Sequence, residues 1–271
     1  GSDGKYDLSR IADIVAQADI VCLQEVTSGW KQNGFVDQTV EIAQLLNRYY
    51  WYHGAMEADA SEVGADGRIV NRRRAFGNAV LSRWPINWAR GHLLPKTELV
   101  NCFDLQRGFV EAAVEAPSGS LRVYSAHLSH VGPQQRLTQV EVLMKTVLDA
   151  ERTGPPWDAA GGDTFMFQER RPDVPRPAIV AGDFNFTPQH PEYPLVCGEM
   201  SAYGRLGTKR HLADAWGAAG NSEDGVESIP NEGRIDHVCV THDLAPRVKK
   251  AWIDHNVVAS DHWPLFVEFD L

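Results

Sequence analysis

The sequence predicts one α/β domain whose strands run mostly antiparallel. Three observations carry this reading: helical and strand periodicities alternate along the chain, a Ser118-Gly119 turn separates two strand-like runs, and no fixed-period repeat or low-complexity tract interrupts them. The chain of 271 residues is long enough for one large core or two smaller ones. With 43% of its residues hydrophobic it is no disordered segment.

The elements follow in order. Leu8, Ile11, Ile14 and Val15 recur at helical spacing, and residues 19–25 then form a short buried strand ending in polar side chains. A second amphipathic helix carries Val40, Ile42, Ala43, Leu45 and Leu46, and the aromatic run Tyr49-Tyr50-Trp51-Tyr52 after it suits a strand. Residues 54–74, rich in Gly, Asp, Glu and Arg, read as an exposed loop. Residues 75–81, 109–114 and 121–126 are strands, the last two joined by the Ser118-Gly119 hairpin turn. Helical periodicity resumes over 134–150, and residues 153–177 form a long surface loop before the strand Ile179-Val180-Ala181. Residues 235–241, 251–253 and 264–269 complete the strands.

Charge and cysteine usage narrow the class. Lys and Arg number 26 against 36 Asp and Glu, a net charge of −10, which argues against a basic nucleic-acid scaffold. No apolar run approaches the roughly 18–20 residues of a membrane span, so a soluble protein is expected. Cys22, Cys102, Cys197 and Cys239 lack Cys-x-x-Cys spacing, which excludes a zinc ribbon or thioredoxin-like site and leaves buried free thiols as the expectation.

The chemistry gathers where strands stop. Gln24-Glu25, Ser125-Ala126-His127, Gly182-Asp183-Phe184-Asn185, Arg234-Ile235-Asp236-His237 and Ser260-Asp261-His262 all place carboxylate, amide or imidazole groups at the ends of apolar runs. Polar groups are costly inside sheets, so their recurrence at these ends implies one shared polar floor. Oxygen-rich ligation of this kind suits Mg²⁺ or Mn²⁺, whereas the absence of His-x-x-x-His spacing disfavours zinc.

Taken in order, and with Gly77-Asn78-Ala79-Val80-Leu81-Ser82-Arg83 and the opening Asp3-Gly4-Lys5-Tyr6-Asp7-Leu8, these motifs resemble the endonuclease/exonuclease/phosphatase superfamily across residues 3–271. The resemblance implies a four-layer α/β sandwich, two mostly antiparallel sheets face to face with helices outside, and divalent-metal phosphoester hydrolysis. It implies Glu25 as the principal metal ligand, with Asp261 touching a metal. Asp183 would orient or deprotonate the attacking water, and Asn185, two residues along the same strand face, would donate to the phosphate or the nucleophile. His262 would contact the reacting phosphate and move a proton, Asp236 would orient an imidazole, and His127 would stabilise the phosphate or protonate the leaving oxygen. Asn78 is expected to point into the cleft and Arg107 to clamp a phosphate with its planar fork, unless both only brace neighbouring strands. His237 stands where the family usually has Tyr and is read as structural.

Blander readings stand beside these. Glu25 alone would be a surface carboxylate, Asp183 and Asn185 an Asx turn, and Arg72-Arg73-Arg74 a solvated basic loop rather than a recruiter of anions. Trp30, Trp51, Trp84, Trp88, Trp157 and Trp263 would serve the core before they served an apolar substrate wall. The acidic balance favours a phosphorylated small-molecule or lipid-derived substrate over nucleic acid, with a nuclease as the alternative and an inactive binding module as the reading from another class. Family members place an Asn near the end of a strand preceding the Asp-Gly-x-x-Asp-Leu segment. The resemblance therefore implies a further strand of five or six residues upstream of Gly1, its Asn facing Glu25.

Overall fold

The computed structural model describes residues 1–158 and 171–271. Helix α1 (Leu8–Val15) is capped by Asp7, whose carboxylate accepts from Ser9 N, and leads into β1 (Ile20–Ser28). Helix α2 (Gln38–Leu46) starts at Asp37, which accepts from Val40 N, and ends at Asn47 in the left-handed region with φ 52°. Strand β2 (Tyr49–Asp59), the two-residue strands β3 (Glu62–Val63) and β4 (Ile69–Val70), and β5 (Arg73–Ser82) follow. The expected loop over 54–74 is thus largely hairpin. Its backbone ladder pairs Asp59 with Arg73 and Ala58 with Arg74, and a ladder between charged, exposed residues leaves no apolar period in the sequence.

Strands β6 (Ile86–Leu93), β7 (Gly108–Ala116) and β8 (Gly119–His127) form an antiparallel meander, with the Ser118-Gly119 turn at its expected place. Sequence periodicity had not marked β6. Helices α3 (Pro133–Leu148) and α4 (Ala150–Thr153) precede β9 (Ala178–Asp183). Of the predicted 153–177 loop, residues 159–170 lie outside the described residues, and its described flanks after Thr153 hold no helix or strand. The remainder comprises α5 (Tyr193–Cys197), β10 (Glu199–Ser201), β11 (Gly204–Leu206), β12 (Ala213–Asp214), α6 (Ala215–Ala218), β13 (Asp236–Val240), β14 (Val248–Ile253) and β15 (Leu265–Phe269).

Two sheets face each other, one ordered β1-β5-β2 and the other β12-β13-β9-β8-β7-β6. Their shared core holds Val80, Val110, Val114, Val123 and Val240. Helices α1 and α2 cover the outer face of the first sheet through Leu8, Val15, Ile42, Ala79 and Leu81. Helices α3 and α5 cover the second through Val140, Leu143, Val147 and Val196. This is the four-layer sandwich, antiparallel except for the β8–β9 pair. Among the described residues no strand pairs with the outer edge of β1, and that edge and β15 line one trough of about 1100 Å³ that runs to the polar strand ends. No described helix is long and apolar enough to cross a membrane. The cysteines are all free; Cys197 and Cys239 are buried with Sγ atoms 3.8 Å apart, Cys22 is partly buried, and Cys102 is exposed, contrary to the expectation for it.

Candidate active site

One glycine sets the centre of the site. A Cβ on Gly182, at φ +153°, would lie 1.8 Å from the Ala126 carbonyl oxygen, so only glycine lets β8 and β9 close here. The parallel pair then sets His127 directly beside Asp183, with His127 Nε2 3.3 Å from Asp183 Oδ2. On the other side of β9 the antiparallel register sets Asp236 opposite Asp183. Buried Ser228 holds Asp236 in place, its Oγ accepting from Ile235 N and Asp236 N at 3.0 Å, while its carbonyl accepts from Trp263 N at 2.7 Å. That last bond ties the loop carrying His262 to β13, and His262 Nδ1 lies 2.8 Å from Asp236 Oδ2.

Arg107, buried just before β7, joins this group from the meander. Its Nη1 donates to His127 Nδ1 at 2.9 Å and its Nη2 to His130 Nδ1 at 3.0 Å. Glu25 Oε1 stands 3.9 Å from Arg107 Nη1. Glu25 occupies a bulge where the β1–β5 register shifts between Leu23 and Val26, and its φ of 57° is left-handed. For a non-glycine residue that conformation costs energy; here the bulge leaves the carboxylate exposed beside the Arg107 fork. Asp261 is also exposed and lines the same cavity as Glu25, Asp183, Asp236 and His262.

Two expectations need correction. Asn185 does not continue the strand face of Asp183, because β9 ends at Asp183 and Asn185 adopts φ 56°. The turn is an Asx turn: Asp183 Oδ1 accepts from Asn185 N at 2.9 Å, and Asn185 Nδ2 donates to Asp183 Oδ2 at 3.2 Å and to Leu128 O at 3.0 Å. Both amide protons are therefore engaged in the protein itself, leaving its Oδ1 for other contacts. Asn78 is buried, its Nδ2 donating to Gly108 O at 2.6 Å, so that donor braces β5 against β7 and does not point into the cleft.

Charges in the site are uneven. Burial would raise the Asp183 carboxyl, but the hydrogen bond from His127, the charge of His262 and the Asn185 N–H together hold it below its ordinary value. Burial raises Asp236, and the Asp183 charge adds to this against the pull of His262. Burial works against a charged His262, yet its bond to Asp236 and the carboxylates of Asp236, Asp183 and Asp261 push it up to about 9. The pairing thus favours a protonated His262 beside Asp236. Burial lowers the Arg107 guanidinium, opposed by Glu25 and Asp183. His237 is structural as expected: it is buried between Arg234 Nη1 at 2.8 Å and Phe186 O at 2.7 Å, and burial holds it down to about 3.

His130 escaped sequence reasoning, although the spacing His127-x-x-His130 was a usable signal once a strand was known to end at His127. Among the described residues no three His, Cys, Asp or Glu side chains form a ready metal cage. The donor set nonetheless fits Mg²⁺, which takes one or two protein carboxylates and fills its remaining positions with water and phosphate oxygens. Glu25 offers such a carboxylate, exposed and 3.9 Å from its nearest cationic partner, with Asp261 on the same cavity.

The model of the endonuclease/exonuclease/phosphatase family matches residues 1–262. Among solved structures, an endonuclease/exonuclease/phosphatase from Beutenbergia cavernae is similar, with a TM-score of 0.59 and 21% identity over 97% of this chain. The present chain spans 65% of that protein's length. The mannosyl-6-phosphatase Bt3783 of Bacteroides thetaiotaomicron matches at TM-score 0.59 and 18% identity, covering 97% of this chain and 90% of its own. Truncated Caenorhabditis elegans TDP2 matches at TM-score 0.58 and 17% identity, with coverage of 97% and 90%. A comparison with curated protein sequences gives no match.

Proposed function

Because the chain belongs to the endonuclease/exonuclease/phosphatase family, whose enzymes are phosphoester hydrolases, we propose that it is a divalent-metal-dependent hydrolase of a small-molecule or lipid-derived phosphodiester or phosphomonoester. The observation that supports this best is that Arg107, His127 and Asp183, in contacts of 2.9–3.3 Å, stand beside the Asp236–His262 pair, 2.8 Å apart, because the β9–β13 register sets Asp236 opposite Asp183. A surface Asx turn or a stray carboxylate would not gather a buried guanidinium and two oriented imidazoles around it.

In this reading Asp183, held ionised, accepts the proton of the attacking water and fixes its direction. His127 presents Nε2–H, and Arg107 stands behind it as a fixed positive charge opposite the phosphate oxygens. His262, kept protonated by Asp236, gives its proton to the departing oxygen. Glu25 and Asp261 would hold Mg²⁺, which when bound neutralises phosphate charge and acidifies a coordinated water.

The test is hydrolysis of bis(p-nitrophenyl) phosphate and p-nitrophenyl phosphate with Mg²⁺ by the unaltered chain and by Asp183→Asn. The substitution keeps the shape of the side chain and should lower kcat by roughly 10²–10⁴-fold, the range for loss of a general base. Turnover within tenfold of the unaltered chain would remove Asp183 from the chemistry. No turnover of any phosphoester by the unaltered, Mg²⁺-supplied chain would favour a binding module instead.

A further inference from the structure

Strand β5 carries the site outward on one face. Side chains two apart share a face, so Asn78, Phe76 and Arg74 form a row on the side that looks toward the second sheet, as does Val80 in the inter-sheet core. Phe76 is where the facing sheet stops: its ring centroid lies 6.5 Å from that of His127, and Arg107 Cζ lies 6.0 Å from it. Arg74, about 7 Å further along the strand, is exposed.

The three neighbouring arginines are not equivalent. Arg72 is engaged, its Nη1 2.7 Å from Glu62 Oε1 and its Cζ 4.5 Å from the Phe35 ring. Arg73 lies on the alternate face of the strand, with Asp59 as its register partner, and like Arg74 makes no ion pair among the described residues. Arg74 has Ala58 across from it, makes no ion pair among the described residues, and rests with Cζ 5.1 Å from the Trp30 ring centroid. Trp30 is itself pinned, its Nε1 donating to Ala75 O at 2.8 Å. Arg74 is thus an exposed guanidinium with no carboxylate partner among the described residues, held over an anchored indole one strand repeat beyond Phe76, in a chain of net charge −10.

We propose that Trp30, Phe76 and Arg74 form a substrate ledge. It takes a ring next to the reacting phosphate and a second phosphate on the far side of that ring. The aromatic faces supply stacking area, and the Arg74 fork supplies the charge-assisted contact, two strand residues beyond Phe76. The ledge rests on the phosphoester reading only in taking the first phosphate to lie beside His127 and Asp183.

Binding without turnover tests it. Asp183→Asn protein with Mg²⁺ is titrated calorimetrically with thymidine 5′-monophosphate and with thymidine 3′,5′-bisphosphate. The bisphosphate should bind about tenfold more tightly, and adding Arg74→Gln should erase that preference while leaving the monophosphate within about twofold. Adding Trp30→Leu should weaken both, through the lost stacking face. Equal affinity for the two nucleotides, equal weakening of both by Arg74→Gln, or no binding of either below millimolar concentration would overturn the ledge. Hydrolysis of bis(p-nitrophenyl) phosphate by the unaltered chain reports separately: its absence alongside an intact bisphosphate preference defeats the hydrolase reading and leaves the ledge standing, and the converse defeats the ledge alone.

Discussion

Arg107 Nη1 lies 2.9 Å from His127 Nδ1, and this one contact decides which way the imidazole can act. A guanidinium has donors only, so Nδ1 must accept and the ring proton sits on Nε2, 3.3 Å from Asp183 Oδ2. The nitrogen-15 shifts of His127 should therefore report the Nε2–H tautomer. In Arg107→Gln both tautomers should become visible, with kcat lowered about 10–100-fold and the fold retained. A single unchanged tautomer in that variant would show that Arg107 does not orient the ring.

The Asp236–His262 pair gives a second expectation. In Asp236→Asn the side chain keeps its shape but no longer stabilises an imidazolium, so kcat should fall by about 10²–10³-fold with KM changed less. The proton resonances of His262 separate this from misfolding, since the strongly hydrogen-bonded Nδ1–H should disappear while β13 stays protected from exchange.

Exhaustive chelation should abolish phosphoester hydrolysis, and Mg²⁺ or Mn²⁺ should restore it. Glu25→Gln should then require at least about tenfold more Mg²⁺ for half-maximal rate, since the amide is a weaker ligand than a carboxylate for a hard cation. Metal titration followed by calorimetry checks the same shift without relying on turnover.

His237 predicts an acid sensitivity of the fold that is independent of catalysis. Its folded value of about 3 lies below the ordinary 6.5, so both states hold it neutral above pH 6.5 and it adds no pH dependence there. Below that, the unfolded chain binds a proton that the folded protein refuses, and stability falls by up to about 1.4 kcal/mol per pH unit until the folded value is reached. Thermal unfolding between pH 6.5 and 4.5 should show this slope, and His237→Gln should flatten it even if the variant is less stable overall.

The sequence by itself determined the alternation of helices and strands, the hairpin at Ser118-Gly119, and the placing of His127, Asp183 and Asp236 at strand ends, whereas Glu25 lies at a bulge inside β1, which runs on to Ser28, and His262 lies in the loop before β15. Those features are local: a period of two or of three to four residues, a turn residue, or a polar cluster closing an apolar run is written in consecutive positions. It left open what each side chain holds. Strand β6 and the charged hairpin over β2 and β5 lacked an apolar period because most of their side chains are exposed or half-buried and so need no apolar face. The bridging of His127 and His130 by Arg107, the turn that takes Asn185 off the strand, the commitment of Asn78 to Gly108, and the seating of Arg74 over Trp30 were decided only by tertiary structure. Each depends on register and on a close approach between residues distant in the chain, such as the Gly182 contact that sets Asp183 beside His127, and no local pattern encodes such a distance.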